Sequence, residues 1–164
     1  MSDVKYLLAY TIPISAIISI QLGGVWSFTT VIYAFGFIPI WEALINPDNM
    51  KLDEKQIESR LANRFFDFML YFNIIIVFSI LFYGVNYLVT NDLYLFEKIG
   101  LILSIGIVLG TNGINVAHEL GHRQKLWERM LGKILLMPAF YMHFYLEHNF
   151  GHHQHVGTPK DPAT

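Results

Sequence analysis

The chain has 164 residues, of which 54% are hydrophobic and 15% are charged, and its mean hydropathy is +0.41. This composition is that of a membrane protein rather than a soluble domain. The formal net charge of −2, without a basic stripe among aromatic residues, argues against nucleic acid as a partner. The chain has no cysteine, so any metal bound within it must be held by nitrogen or oxygen.

Four apolar stretches approach the roughly 20 residues that a helix needs to cross a bilayer. In chain order they cover about residues 4–22, 25–45, 65–89 and 95–116. Pro13 and Pro39 interrupt the first two, which membrane-spanning helices tolerate. Residues 90–92 form a tight turn that predicts an antiparallel hairpin of the third and fourth spans. We therefore predict an all-α polytopic membrane bundle with four spans, in which residues 1–164 form a single membrane domain.

Basic residues gather in two polar segments of the chain. The cations are Lys51, Lys55, Arg60 and Arg64 before the third span, and Arg123, Lys125, Arg129 and Lys133 after the fourth. Because an excess of Lys and Arg marks the cytoplasmic side, we expect the N-terminus and everything after the fourth span to be cytoplasmic. Residues 132–145 are apolar but too short to cross and return, which predicts a half-inserted helix or a buried helix of the functional site.

Small and aromatic residues within the apolar stretches have a structural interpretation. Gly106, Gly110 and Gly113 would let the fourth span pack closely against another helix. Trp26, Trp41 and Trp127 are best explained as anchors at the membrane interface.

All seven histidines lie between positions 118 and 155, and the first two belong to the box His118-Glu119-Leu120-Gly121-His122. His118 and His122 are four residues apart, so that on a helix both imidazoles reach one ion. Taken alone, this box is also the signature of an intramembrane zinc protease with Glu119 as general base, or a polar cap of a spanning helix.

The second box is Glu147-His148-Asn149-Phe150-Gly151-His152-His153. His148 and His152 repeat the helical spacing, and His153 points a quarter-turn or more away, so that one element offers ligands in two directions. A single catalytic zinc takes three protein ligands plus water, which is fewer than these boxes supply. Five imidazoles without a metal would be costly at the edge of a low-dielectric region. The predicted metal ligands are therefore His118, His122, His148, His152 and His153.

Five further residues are candidates to orient the ligands by contact with their rings: Glu119, His143, Glu147, His155 and Asp161. Glu119 and Glu147 adjoin box histidines and as carboxylates can also bind metal directly. Asp161 can reach an imidazole only if the chain folds back.

The two boxes and the tail that follows them resemble those of the integral-membrane alkane 1-monooxygenases, within the membrane fatty-acid desaturase and hydroxylase group. The residues that carry this resemblance are His118-Glu119-Leu120-Gly121-His122, then Glu147-His148-Asn149-x-Gly151-His152-His153, then Thr158-Pro159-x-Asp161-Pro162-Ala163-Thr164. Many desaturases instead have H-x-x-H-H in the second box. Three positions depart from the family pattern, none of them a predicted ligand: Arg123, Phe150 and Gly157.

The resemblance implies a non-haem di-iron oxygenase, with two iron ions held by the five histidines and by ligands that the family carries later in its chain. Such an enzyme converts the terminal carbon of an alkane to a 1-alkanol with O₂. Its electrons come from rubredoxin and an NAD(P)H-dependent reductase on the cytoplasmic face of the bacterial inner membrane. By this resemblance the chain is an N-terminal fragment that ends after the second box, and we expect it to be inactive alone.

Four other interpretations of the sequence stay open. A fatty-acid or lipid desaturase, or an alkyl-aromatic hydroxylase, would use the same ligands. An intramembrane zinc metalloprotease would use only the first box, and a non-enzymatic membrane protein would use neither.

Overall fold

The computed structural model describes residues 3–45 and 63–161, and all regular structure in these ranges is helical. The helical runs are α1 (Thr11–Leu22), α2 (Gly24–Leu44), α3 (Arg64–Thr90), α4 (Leu95–Gly121), α5 (Leu126–Leu136) and α6 (residues 144–155). The all-α prediction is confirmed. Most of the first basic segment and the last three residues of the family tail lie outside the described residues.

Three of these helices are long and apolar enough to cross a membrane: α2 with 21 residues, and α3 and α4 with 27 each. They coincide with the second, third and fourth predicted spans. The first predicted span falls on a shorter apolar helix, Tyr6–Leu22. The number of four spans therefore stays a prediction. Trp26 and Trp41 lie near opposite ends of α2, and both are exposed.

Both prolines of the apolar segments lie where the type of helix changes. Pro13 is the third residue of α1, directly after the 3-10 helix Asp3–Tyr10. Pro39 follows a π-helical turn, Tyr33–Phe37, at the start of the α-helical part Ile38–Leu44. Proline has no N–H and clashes with the preceding helical turn. A change of hydrogen-bonding pattern before each proline lets the helical run continue.

The chain divides into two compact units, Met1–Ile105 and Gly106–Thr164, with the boundary inside α4. The prediction of a single domain over residues 1–164 stays a prediction. In the first unit, glycines permit close contact between helices. A Cβ atom added at Gly84 would lie 2.6 Å from the side chain of Ile105 and 3.3 Å from that of Ile20.

In the second unit, α5 packs directly on the last turns of α4. A Cβ atom at Gly132 would lie 2.9 Å from the carbonyl oxygen of Ala117 and 3.2 Å from Leu120 Cβ. In contrast, a Cβ at Gly106 or Gly110 would meet nothing within 4 Å in the described part of the chain. A Cβ at Gly113, the third glycine of the prediction, would lie 3.8 Å from the carbonyl oxygen of Leu135, which is an ordinary contact with α5. The closest approach of α4 and α5 is made at Gly132.

The helix that was predicted at residues 132–145 lies at different bounds. α5 begins at Leu126 and ends at Leu136, and turns occupy residues 137–143 before α6. Pro138 explains the end: Met137 before it keeps helical backbone angles, but proline has no N–H and cannot continue the helical hydrogen bonds.

Candidate metal centre

The first histidine box lies at the C-terminal end of α4. A π-helical turn, Leu109–Ile114, precedes the α-helical part Asn115–Gly121, and His122 caps its end. The four-residue spacing puts His118 and His122 on the same side, and their Nε2 atoms lie 2.9 Å apart. The predicted i, i+4 pair of this box is present in the structure.

The second box lies in α6, where residues Glu147–His152 form a π-helix. Because π-helical hydrogen bonds join residues five apart, the π-helix brings His148 and His153 to one side. Their Nε2 atoms lie 3.0 Å apart. The four-residue spacing of His148 and His152 predicted that these two rings share one face of an α-helix. The structure instead pairs His148 with His153, five residues apart.

Histidines of the two boxes converge. The Nε2 atom of His148 lies 2.7 Å from that of His118 and 3.2 Å from that of His122. One ring nitrogen from each of His118, His122, His148 and His153 falls within 4.8 Å of the others. We call these four the histidine cluster.

The spacing of the histidine cluster fits ligands around one metal ion. Two nitrogens bound at right angles to an ion through bonds of about 2.1 Å are roughly 3 Å apart. Each ring nitrogen of a neutral imidazole is either a hydrogen-bond donor or an acceptor. The Nε2 atom of His148 can therefore form a hydrogen bond with only one of the ring nitrogens around it. Without a cation, the remaining lone pairs around His148 would repel one another. The donor set therefore fits a metal.

The protonation of the histidine cluster also suits metal binding, which needs neutral imidazole. Burial and, after it, the neighbouring rings of His118 and His153 together lower the pKa of His148 to about 4. Burial likewise lowers the pKa of His122, with His118 as the next cause. At neutral pH these two rings are therefore uncharged, as metal binding requires.

Aromatic and small residues hold the two boxes together, and none of them was among the predicted site residues. The ring of Phe144 stacks on His148 with centroids 5.0 Å apart, and these residues have the i, i+4 spacing that would have indicated the pair. A Cβ atom at Gly121 would lie 3.6 Å from the ring of Tyr145, so α6 packs on the first box. Lys133 of α5 lies over the same ring at 4.5 Å.

His152 is outside the histidine cluster and is bound to a carboxylate instead. Its Nδ1 atom lies 3.0 Å from both carboxylate oxygens of Asp161, which is buried. The chain folds back through a turn in which the Thr158 N–H donates to the His155 carbonyl and the Asp161 N–H to the Thr158 carbonyl. The chain thus folds back as it must for Asp161 to reach an imidazole. A ligand role for His152 stays a prediction.

The other four residues that were candidates to orient the ligands have contacts of their own. Glu119 points to Arg123, with an oxygen 3.5 Å from the guanidinium Nε. His143 and Glu147 face each other at 4.0 Å, and both are exposed. The backbone carbonyl of His155 closes the turn that leads to Asp161, while its ring lies outside the histidine cluster. Their roles as orienting residues stay predictions.

Comparison with known proteins agrees with this site. The fatty acid desaturase family matches residues 98–164, which include both boxes. Alkane 1-monooxygenase 1 of Alcanivorax borkumensis is 30% identical over 97% of this chain and 40% of its own length. Alkane 1-monooxygenase of Pseudomonas putida is 35% identical over 79% of this chain and 32% of its own length. Alkane 1-monooxygenase of Ectopseudomonas oleovorans is 31% identical over 86% of this chain and 35% of its own length.

The chain thus spans about a third to two-fifths of the length of the curated relatives that it matches. The similarity extends over most of this chain, through the apolar helices as well as the histidine boxes. The chain is thus similar to the alkane 1-monooxygenases over most of its length, and its residues 98–164 match the fatty acid desaturase family.

Proposed function

We propose that the chain supplies the membrane helices and part of the metal ligands of a non-haem di-iron monooxygenase, which hydroxylates the terminal carbon of alkanes. The observation that carries this proposal is the convergence of four imidazole nitrogens from both boxes on one point. The names of the relatives add the reaction class, because all seven of the matched curated proteins are alkane 1-monooxygenases.

The five predicted ligands would hold the metal in two groups. His118, His122, His148 and His153 would bind one ion through Nε2. His152 would offer its Nε2 to the second, because its Nδ1–H is directed to Asp161. The chemistry that iron would supply is the activation of O₂, which an alkane C–H bond requires since it offers no acid, leaving group or carbonyl to a side chain.

Residues around the histidine boxes orient the metal-binding rings and shield them from water. Phe144 covers one face of His148, which restricts rotation of the ring and limits access of water from that side. Asp161 fixes the proton of His152 on Nδ1, a common arrangement for metal-binding histidines. The apolar spans would admit an alkane from the bilayer. We further propose that electrons arrive from rubredoxin and its NAD(P)H-dependent reductase at a cytoplasmic face.

Two observations favour this function over an intramembrane zinc protease. Such a protease would use the first box with Glu119 directed at a metal-bound water. In the structure, two histidines of the second box join the first, and Glu119 points to Arg123. A desaturase or an alkyl-aromatic hydroxylase would use the same ligands, and the curated relatives favour the alkane.

A chimera tests the proposal. The segment of the Alcanivorax borkumensis relative that matches this chain is replaced by residues 1–164, and the chimera is expressed with rubredoxin, reductase and NADH. Gas chromatography of octane incubations should then show 1-octanol, and metal analysis should give two irons per chain. A His122→Ala chimera should lose both, whereas His155→Ala should keep them. One zinc per chain with no alkanol would contradict the proposal.

A further inference from the structure

The outer face of α5 exposes apolar side chains that a helix in water would bury. The exposed fractions are 66% for Leu126, 48% for Trp127, 47% for Met130, 39% for Ile134 and 53% for Met137. The last four residues follow one another at spacings of three, four and three, which defines one stripe along the helix and into the next residue. We call this stripe, with Leu126, the α5 face.

The opposite side of α5 is already used for packing. Glu128, Gly132, Leu135 and Leu136 are buried there, and Gly132 contacts the end of α4. The α5 face is therefore a second apolar surface, and the described part of the chain leaves it uncovered. A continuous apolar surface of this kind is typical of a site that binds a partner or a membrane.

The turn after α5 extends the same surface. Phe140 is 92% exposed, and its backbone has a positive φ of 52°. This conformation costs an L-residue about 1–2 kcal/mol. The ring is almost fully exposed and so recovers little of this cost by burial within the described chain. A surface that received the ring would provide that compensation.

The position of α5 and the charges around it indicate which partner covers the α5 face. α5 begins five residues after the end of α4, a helix long enough to span a bilayer, so α5 must lie near a membrane surface. Residues 119–133 carry four basic residues (Arg123, Lys125, Arg129 and Lys133) against two acidic residues, of which Glu119 pairs with Arg123 and Glu128 is buried. Apolar residues including Trp and Phe beside Lys and Arg are the features of a helix that lies in an anionic lipid interface.

We propose that α5 lies in the plane of the membrane surface, with the α5 face and Phe140 inserted among the lipid chains and Lys125 among the anionic headgroups. Lys125 lies 5.8 Å from the ring of Trp127, so the two side chains can reach the headgroup and acyl layers together. Because Gly132 joins α5 to the helix of the first box, this anchor sets the depth of the histidine cluster at the bilayer surface. The proposal does not depend on the identity of the metal.

The absence of cysteine in the sequence makes spin labelling direct. Met130→Cys and Ile134→Cys place a nitroxide on the α5 face, and Gln124→Cys places the matched control on an exposed polar position before α5. The full chain is reconstituted in vesicles of phosphatidylcholine and phosphatidylglycerol. We expect O₂ to relax the labels at 130 and 134 more strongly than a water-soluble nickel chelate does, with the reverse order at 124.

Two outcomes would overturn the proposal. Nickel access at 130 and 134 equal to that at 124 would place the α5 face in water. Exclusion of both relaxants would mean that protein covers it, and spin–spin broadening would then identify a second copy. Fluorescence supplies a check without a mutation in α5: in a Trp26→Phe, Trp41→Phe chain, brominated lipid should quench Trp127, and unquenched emission would contradict the proposal.

Discussion

The Nδ1 atom of His152 lies 3.0 Å from each carboxylate oxygen of Asp161, nine residues further along the chain. A ring N–H that donates to a buried carboxylate fixes both the tautomer and the orientation of the imidazole. The Nε2 atom of His152 is then the nitrogen that retains a free lone pair. This pair links a residue of the second box to the tail, residues 158–164, that carries part of the family resemblance.

Replacing Asp161 by alanine should release His152. The ring would lose its tautomer preference, and loss of such an orienting partner typically lowers metal affinity about 10–100-fold. Iron retention by the chimera during dialysis against a chelator measures the loss, and ¹⁵N shifts of the imidazole in the apo chain report the tautomer. Asp92→Ala, in an exposed turn, is the control. An unchanged His152 tautomer in Asp161→Ala would contradict the assigned contact.

The histidine cluster should bind one ion in the isolated chain. Four nitrogens converge on one point and His152 lies outside, so anaerobic titration with Co²⁺ should give one bound ion per chain. His148→Ala should abolish binding, because His148 contacts the other three rings. His155→Ala should keep it. In the chimera, in contrast, His152→Ala should lose iron and hydroxylation. Wild-type iron content in that variant would remove His152 from the ligands.

The isolated chain should also fail to oxidise alkanes. Because its described residues bring together ligands for one ion only, we expect no 1-alkanol from membranes of the 164-residue chain with rubredoxin, reductase and NADH. Membranes from cells with an empty vector provide the baseline. Product clearly above this baseline would show that the two boxes suffice.

A methyl group at Gly132 should separate α5 from α4. In Gly132→Ala the added Cβ would lie 2.9 Å from the Ala117 carbonyl oxygen, and such overpacking costs about 1–3 kcal/mol. We expect a lower thermal midpoint in detergent and weaker Co²⁺ binding. Gly106→Ala is the matched control, since its Cβ meets nothing within 4 Å and alanine favours a helix by about 1 kcal/mol. Equal midpoints for the two variants would contradict the packing.

Reporter fusions test the orientation in the membrane. From the distribution of basic residues we expect fusions after Asn49 and after Leu126 to report the cytoplasm, and a fusion at Asn91 to report the opposite side. If Asn91 and Leu126 report the same side, α4 does not span. A tag at the N-terminus decides the number of spans: the cytoplasmic side requires the helix Tyr6–Leu22 to cross, and the opposite side requires three spans.

Much of the fold was predictable because it depends on local properties of the chain. The lengths of the apolar stretches predicted the positions of α2, α3 and α4, since only helices of about this length can satisfy their backbone in lipid. The spacing of His118 and His122 likewise predicted their contact, because their helix has the ordinary α-helical period there.

The partners within the second box were not predictable from spacing. His148 and His152 have α-helical spacing, but the residues between them form a π-helix, which directs His153 toward the cluster and leaves His152 to Asp161. The period of the sequence does not contain such a local change of helix type. Tyr145, just before the π-helix, packs on Gly121 of the first box, a contact that spacing within one segment cannot predict either.

The sequence by itself determined that the chain is helical, that it enters a membrane and that imidazole is its candidate metal donor, because each depends on composition and on spacing within one helix. The tertiary structure decided which glycine brings helices together, which four histidines converge and which carboxylate reaches the fifth. The histidine contacts alone join residues up to 35 positions apart, from His118 to His153. Distances between separate helices follow from how side chains pack, which no single segment specifies.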